Sequence, residues 1–288
     1  MSEPNDPTAE QDAERLVAMI GGYGSCAVAF SAGVDSAVVL KAAADALGER
    51  AVGVIGVGPA LAEGELDEAR SVAARIGVRL VESATDEIND PGYQANAPDR
   101  CFHCKTELYT HVRRVADELG LAVLLNGANA DDTGDHRPGM RAADEHSVRS
   151  PLLELGIDKQ AVRAIARLWD LPVWDKPASP CLASRLAYGV EVTPERLAMV
   201  DAAERFLRGL RDEGVELPEV RVRCHEGEVA RIEAPLSAVA ALAEEPVRER
   251  VVNELRRLGF RRVTLDLAGF ESGSLNTLVT LESLQRAR

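Results

Sequence analysis

The amino-acid sequence predicts an α/β protein, a doubly wound parallel sheet followed by a second, smaller α+β domain. Three observations carry this: strand-length runs that are wholly apolar, helix-period segments that alternate with them, and a change of pattern near residue 190. Cys26-Ala27-Val28-Ala29-Phe30 ends at Ser31, and Ala51-Val52-Gly53-Val54-Ile55-Gly56-Val57 is a second such run. Strands buried on both faces, as parallel strands are, have this composition.

Taken in order, Thr8 to Ile20 has helical periodicity, and Ser36 to Leu47 reads as a helix closed by Gly48, which makes a strand-helix-strand unit with the two runs above. The alternation continues with a helix over Leu61 to Ile76, a strand over Val78 to Glu82, a helix over Lys105 to Leu119 and a strand over Ala122 to Asn126. Asp158 to Leu168 adds a helix, and Pro172-Val173-Trp174 a short extended piece. From Thr193 the order changes to a helix reaching Arg211, strands near Val220 to Arg223 and Val229 to Ile232, a helix over Val247 to Leu258 and a strand over Arg262 to Leu267. The domain boundary is therefore drawn between residues 1–190 and 191–288. Asp175 to Val192 is rich in Pro, Ser and Gly but also holds Cys181, Arg185 and Tyr188, which a plain linker rarely does.

With 288 residues, 46% of them hydrophobic, the chain can build a substantial core. No apolar run approaches the ~20 residues of a membrane-spanning helix, and Met1 to Gln11 is acidic and polar where an export signal is basic and then apolar. A cytoplasmic protein with no membrane partner is the expectation. The formal net charge of −14, from 47 acidic and 33 basic residues, gives an average field that repels a polyanion, so nucleic acid is not the expected partner. In a reducing compartment the five cysteines are expected to be thiols, metal ligands or catalysts rather than disulfides.

The turn Ser31-Ala32-Gly33-Val34-Asp35-Ser36 joins a strand to a helix, where backbone N–H groups converge on an anion. Ser31 and Ser36 add hydroxyl donors, and Asp35 is a candidate ligand for the Mg2+ that accompanies a nucleotide. No Gly-Lys-Ser/Thr ending follows, which argues against the common P-loop. The hexapeptide is similar to the pyrophosphate loop, Ser-Gly-Gly-X-Asp-Ser, of the ATP-pyrophosphatase (PP-loop) superfamily, departing from it at Ala32. If that position needs a positive φ, alanine costs about 1 kcal/mol there. The plain alternative is a small-residue turn capped by Asp and Ser.

Cys101-Phe102-His103-Cys104 is placed just before a helix, and Cys181 lies in Ser179-Pro180-Cys181-Leu182-Ala183-Ser184-Arg185. A Cys-X-X-Cys pair alone is shared by zinc sites, redox pairs and iron–sulfur sites, and Cys224-His225 offers one way to complete a zinc site. Three thiolates on a four-iron cluster leave one iron open to an exogenous sulfide. Cys26, at the start of a buried strand, reads as a packing thiol; His103, His111 and His136 read as surface residues.

These segments resemble the LarE family of ATP-dependent sulfur transferases, which make the nickel-pincer cofactor. Nearly the whole chain is covered: Arg100 to Tyr109, Gly127 to Asp132, Arg137-Pro138-Gly139, Ser150 to Gly156, Trp174-Asp175-Lys176-Pro177 through Arg185, and Ser272-Gly273-Ser274-Leu275-Asn276. The resemblance implies an adenine nucleotide alpha-hydrolase-like fold, a homo-oligomer, and pyridinium-3,5-biscarboxylic acid mononucleotide as substrate, adenylylated by ATP and then converted to a thiocarboxylate. It implies that Cys181 either gives up its own sulfur or joins Cys101 and Cys104 on a [4Fe-4S] cluster; the presence of all three cysteines favours the cluster. Asp131 and Asp132 resemble the acidic group near Mg2+ and substrate, and Glu204, Ser184, Arg185, Arg221 and Arg223 match positions used around substrate or phosphate. For each, a loop cap or an ordinary ion pair is the plain alternative. The competing functions are a tRNA-thiolating enzyme, an ammonia-using amide synthetase and a non-catalytic adenine-nucleotide sensor.

Overall fold

The computed structural model describes residues 8–133 and 138–271. His136, Arg137, the N-terminal tail before Thr8 and the Ser272–Asn276 segment lie outside the described residues. In chain order the elements are α1 (Ala9–Gly21), β1 (Cys26–Ala29), α2 (Val34–Leu47), β2 (Ala51–Val57), α3 (Glu65–Ile76), β3 (Arg79–Ala84), α4 (Pro91–Gln94), α5 (Arg100–Leu119), β4 (Val123–Leu125), α6 (Pro138–Glu145), β5 (Val148–Arg149), α7 (Pro151–Glu154) and α8 (Lys159–Leu168). They are followed by α9 (Pro194–Gly209), β6 (Arg221–His225), β7 (Val229–Glu233), α10 (Leu236–Ala243), α11 (Val247–Arg257) and β8 (Arg262–Leu265).

The chain forms two compact units, and the division is not a single cut near residue 190. The first comprises Met1–Gly58, Gly64–Glu87 and Cys101–Ser179; the second comprises Pro59–Glu63, Ile88–Arg100 and Pro180–Arg288. Two short stretches of the N-terminal half thus belong to the second unit. Asn96 shows why: it is fully buried, and its amide donates to the carbonyls of Ala187 and Val190, both at 2.8 Å.

The first unit is a five-stranded, wholly parallel sheet in the order β3-β2-β1-β4-β5, flanked by helices. On one face Ala27, Ala29, Val52, Val54 and Leu124 pack against Tyr109, Val112 and Ala116 of α5 and Ala142 and Ala143 of α6. On the other, Gly53 lies so close beneath Leu40 of α2 that a Cβ there would meet it at 3.1 Å. Helices α1 and α8 pack onto α2. Strand order reverses between β1 and β4, so their carboxyl ends open a crevice where α/β sheets bind ligands. In the second unit β6 and β7 are antiparallel and β7 and β8 parallel, with α9 on β6 and α11 on β8.

Local signals explain most boundaries. Thr8 and Gln11 cap α1 reciprocally, and Thr193 accepts from the Arg196 amide ahead of Pro194 in α9. Helix α3 begins at Glu65 rather than Leu61 because Gly64, at φ 88°, breaks the path before it. Pro172-Val173-Trp174 is not extended. Those residues form tight turns, with the Trp174 amide donating to the Leu171 carbonyl at 3.2 Å and the Lys176 amide to Val173 at 3.1 Å. Cys101 to Cys104 lies within the first turns of α5, not before it. Phe102 there packs on the sheet core and carries the Arg141 guanidinium 3.8 Å from its ring centroid, so tertiary burial extends the helix past residues of modest helix propensity.

Candidate functional site

The phosphate-loop residues lie at the β1/β4 crevice of the first unit. After β1 the Phe30 amide still donates to the Val54 carbonyl, and the chain then folds back on two hydroxyls. Ser36 Oγ accepts from the Ser31 amide at 3.2 Å, lies 3.1 Å from Ser31 Oγ and donates to the Gly33 carbonyl at 3.1 Å. Ala32 has φ 56°, the left-handed conformation in which a Cβ is unfavourable, and is completely buried. Gly33 caps α2 in an extended conformation and makes no side-chain cap bond. The first-turn amides of Val34, Asp35 and Ser36 therefore have no partner within the helix, and they gather the positive end of its dipole.

Asp35 is held from two sides. Asn129 Nδ2 donates to one carboxylate oxygen at 3.0 Å, and Lys159 Nζ lies 2.5 Å from the other. The turn after β4 is closed by its own polar groups: Asp132 Oδ2 accepts from the Asn129 amide and Asn129 Oδ1 from the Asp131 amide. Asp131 Oδ2 accepts from the Lys159 amide at the start of α8. Asp131 and Asp132 thus serve as turn caps while standing beside the Asp35 network. Mg2+ needs one or two carboxylates with phosphate oxygens and water, and Asp35 with this acidic turn supplies donors of that chemistry. Asn129 and Lys159 carried no nomination from sequence; a polar residue after a strand and a lysine opening a helix give no local signal of a shared carboxylate.

In the second unit Cys181 is exposed and precedes a 3-10 turn over Leu182–Arg185. That turn is fixed by side chains reaching its backbone. Arg185 donates to the Pro180 carbonyl at 2.5 Å, Arg100 to Ala183 at 2.8 Å and Arg223 to Ser184 at 3.0 Å, while the Leu182 amide donates to the Ala60 carbonyl at 2.9 Å. Arg185 also grips Glu204 with two parallel hydrogen bonds of 2.9 and 3.1 Å, both side chains almost completely buried. Ser184 Oγ accepts from the same guanidinium at 3.1 Å.

Four arginines converge on two buried glutamates, Arg185 and Arg208 on Glu204, Arg223 and Arg231 on Glu233. Glu204 accepts the Val222 amide as well. Arg221 shares the strand face of Arg223 and lies over the Phe270 ring. Burial, and after it the nearby Arg185 charge, pulls the Arg221 guanidinium below its usual range; burial does the same to Arg223. Cationic charge in excess of carboxylate, already partly desolvated, favours an anion. A 550 Å3 cavity in this unit, lined by Tyr188, Arg196 and His225 among others, contains none of the nominated residues.

Cys101 and Cys104 stand one turn apart on α5, the first exposed and the second half-buried. Two thiols so spaced fit, in donor chemistry, two ligands of an iron–sulfur cluster. Among the described residues no group of three or more His, Cys, Asp and Glu side chains gathers as a metal site would. None of the cysteines forms a disulfide; Cys26 and Cys224 are buried, and burial pushes the Cys26 thiol up to about 12. His111 is not a surface residue: its ring bridges Ser83 Oγ at 2.8 Å and Glu107 Oε1 at 3.0 Å. Among the described residues no helix is long and apolar enough to cross a membrane.

No protein-family profile matches the chain. It is 42% identical over 271 residues to an uncharacterised protein of Synechocystis, covering 94% of this chain and 99% of that one. It is 37% identical over 270 residues to the pyridinium-3,5-bisthiocarboxylic acid mononucleotide synthase of Lactiplantibacillus plantarum, covering 93% and 95% of the two chains. A glutamine-hydrolysing GMP synthase chain of Archaeoglobus fulgidus is 27% identical over 197 residues, 64% of each chain. The crevice loop, the parallel sheet around it and the end-to-end similarity to the mononucleotide synthase together show that the chain belongs to the LarE family of the PP-loop superfamily.

Proposed function

We propose that the protein is an ATP-dependent sulfur transferase that converts a carboxylate of pyridinium-3,5-biscarboxylic acid mononucleotide into a thiocarboxylate. The observation that carries the reading is the Ser31–Ser36 loop, whose hydroxyls, uncapped α2 amides and supported Asp35 have the chemistry to receive the phosphates of ATP. Similarity to the named synthase supports this substrate class. A carboxylate is a poor electrophile. Attack of its oxygen on the α-phosphorus releases pyrophosphate and leaves an acyl adenylate, whose AMP departs readily when sulfur attacks the acyl carbon.

In this reading the amides of Val34, Asp35 and Ser36 and the hydroxyls of Ser31 and Ser36 hold the leaving phosphates. Asp35 would hold Mg2+, which when bound would supply positive charge against the departing pyrophosphate. Arg221 and Arg223 hold the phosphate of the mononucleotide, and Arg185 with Glu204 keeps the Cys181 turn in place. Cys181 supplies the sulfur route. If it is the donor itself, its thiolate displaces AMP to form a thioester, and elimination of the Cα proton and the Cβ–S bond releases the thiocarboxylate and leaves dehydroalanine. In the cluster route Cys101, Cys104 and Cys181 would be the thiolate ligands of a [4Fe-4S] cluster, which would supply sulfide in place of the cysteine sulfur.

Anaerobic incubation with ATP, Mg2+ and the mononucleotide tests this directly. The expected products are AMP, pyrophosphate and the thiocarboxylate; Cys181→Ala should form no thiocarboxylate while still binding ATP. Protein lighter by one hydrogen sulfide after turnover identifies the sacrificial route, and iron with acid-labile sulfide the cluster route. An amide formed from added ammonia, with Cys181→Ala fully active, would move the protein to the amide synthetases.

A further inference from the structure

Lys159 opens α8, the end of a helix where a positive charge is disfavoured by the helix dipole. Its backbone does not explain the choice of residue, since Asp158 caps the helix by accepting from the Ala161 amide and the Lys159 amide goes to Asp131. What the ammonium reaches is Asp35, at 2.5 Å, with the carboxylate side chain 23% exposed and that of Lys159 37% exposed. Asn129 occupies the other oxygen of the same carboxylate. The carboxylate best placed in the phosphate loop to ligate a divalent cation is thus already neutralised by a side chain from another helix.

We propose that Lys159 is an internal counter-ion that holds the cation position of Asp35 and must be displaced before a divalent metal ligates that carboxylate. Sharing the oxygen is costly: a dication there lies close to the ammonium, and like charges at that range repel even in a partly solvated site. Nucleotide resolves the conflict. ATP brings phosphate oxygens that both ligate the metal and accept the displaced ammonium, so metal and nucleotide bind together and neither is retained well alone. This coupling rests on the reading of the Ser31–Ser36 loop as an ATP site.

The test uses Mn2+ as the probe, followed by the electron paramagnetic resonance signal of the free ion, on the full chain with and without ATP. Without nucleotide, Lys159→Met is expected to bind Mn2+ at least about tenfold more tightly than wild type, a conservative reading of the Coulomb energy at contact. Lys159→Arg, which keeps the charge, stays near wild type, and adding Asp35→Asn to Lys159→Met removes the gain. With ATP present, Lys159→Met is expected to lose about tenfold in nucleotide affinity, because the displaced ammonium is no longer there to meet the phosphates. The proposal is overturned if Lys159→Met binds Mn2+ no better than wild type, or if its gain survives Asp35→Asn. A wild-type chain that binds no ATP in the presence of Mn2+ overturns the ATP-site reading instead, and the nucleotide-free measurements still decide the counter-ion role. Lys159→Gln serves as the neutral variant if Lys159→Met fails to give a native circular dichroism spectrum.

Discussion

A methyl group on Gly127 would lie 2.7 Å from the backbone nitrogen of Ser36 and 3.0 Å from the carbonyl carbon of Asp35. The turn after β4 therefore meets the first turn of α2 backbone to backbone, and only glycine fits between them. Gly127→Ala must push the two apart, an overpacking cost of about 1–3 kcal/mol. The displaced amides are those assigned to phosphate, so ATP affinity should fall by about tenfold or more, equivalent to ~1.4 kcal/mol. Calorimetric titration with Mg-ATP measures this; near-wild-type affinity would show that the close approach does not shape the loop.

The same contact shows what the sequence makes legible and what it hides. The parallel sheet is readable because β1 and β2 are apolar from end to end, and the loop because its six residues are contiguous. Gly127, Asn129 and Lys159 are invisible by comparison: they matter through distances to Asp35 and Ser36 that no local pattern encodes. The Cys181 segment is half-readable. Its composition marks it as more than a linker, but Asn96, Arg100 and Ala60, which bond to the turn and the residues just after it, lie far away in sequence. The helical setting of Cys101 and Cys104 is missed because burial of Phe102 outweighs local propensity.

Glu204 supports the Cys181 turn through Arg185, and both side chains are nearly fully buried. Removing one partner leaves a desolvated charge, so Glu204→Ala should destabilise by about 3–5 kcal/mol. The consequence for function is looser amides over residues 181–186. Urea unfolding gives the first quantity and hydrogen exchange the second; unchanged exchange in that stretch would assign Glu204 a role other than holding the turn.

Thiol reactivity should follow exposure. Cys101 and Cys181 are exposed, Cys104 is half-buried, and Cys26 and Cys224 are buried with thiols pushed up by burial. In the native protein iodoacetamide should modify Cys101 and Cys181 first and leave Cys26 and Cys224 intact until the chain is unfolded, because the thiolate is the reacting form. Peptide mass mapping reads the order. Early labelling of Cys26 would contradict its place in β1.

Ala32 occupies a left-handed conformation that its methyl group makes costly. Ala32→Gly relieves the strain at the expense of a buried methyl and some unfolded-state entropy, leaving a net gain of up to about 1 kcal/mol. The loop bonds among Ser31, Gly33 and Ser36 are untouched, so ATP binding should hold or improve. A melting temperature lower than wild type would mean that methyl burial outweighs backbone strain here.

Glu154 ties α7 to the strand before it: its carboxylate accepts from Arg149 Nε at 2.8 Å and from the Ser150 amide at 3.2 Å. Helix α7 in turn supports the β4 turn, since the Leu153 amide donates to the Ala128 carbonyl at 3.1 Å. The Arg149 hydrogen bond, followed by burial acting in the opposite sense, holds the Glu154 carboxyl below its usual range. A depressed carboxylate contributes stability that is present above its unfolded value, near ~4.3, and is lost as pH falls through the lower native value. Because Arg149 is half exposed, solvent screening limits the contribution to about 1 kcal/mol or less. Glu154→Gln should therefore be less stable than wild type at pH ~7, with the gap closing as both proteins are taken below the native carboxyl value, where wild-type Glu154 is neutral as well. Urea midpoints across that range test the sign: a gap that stays constant with pH would assign the loss to packing of the β4 support, and one that widens in acid would reverse the direction assigned to this carboxylate.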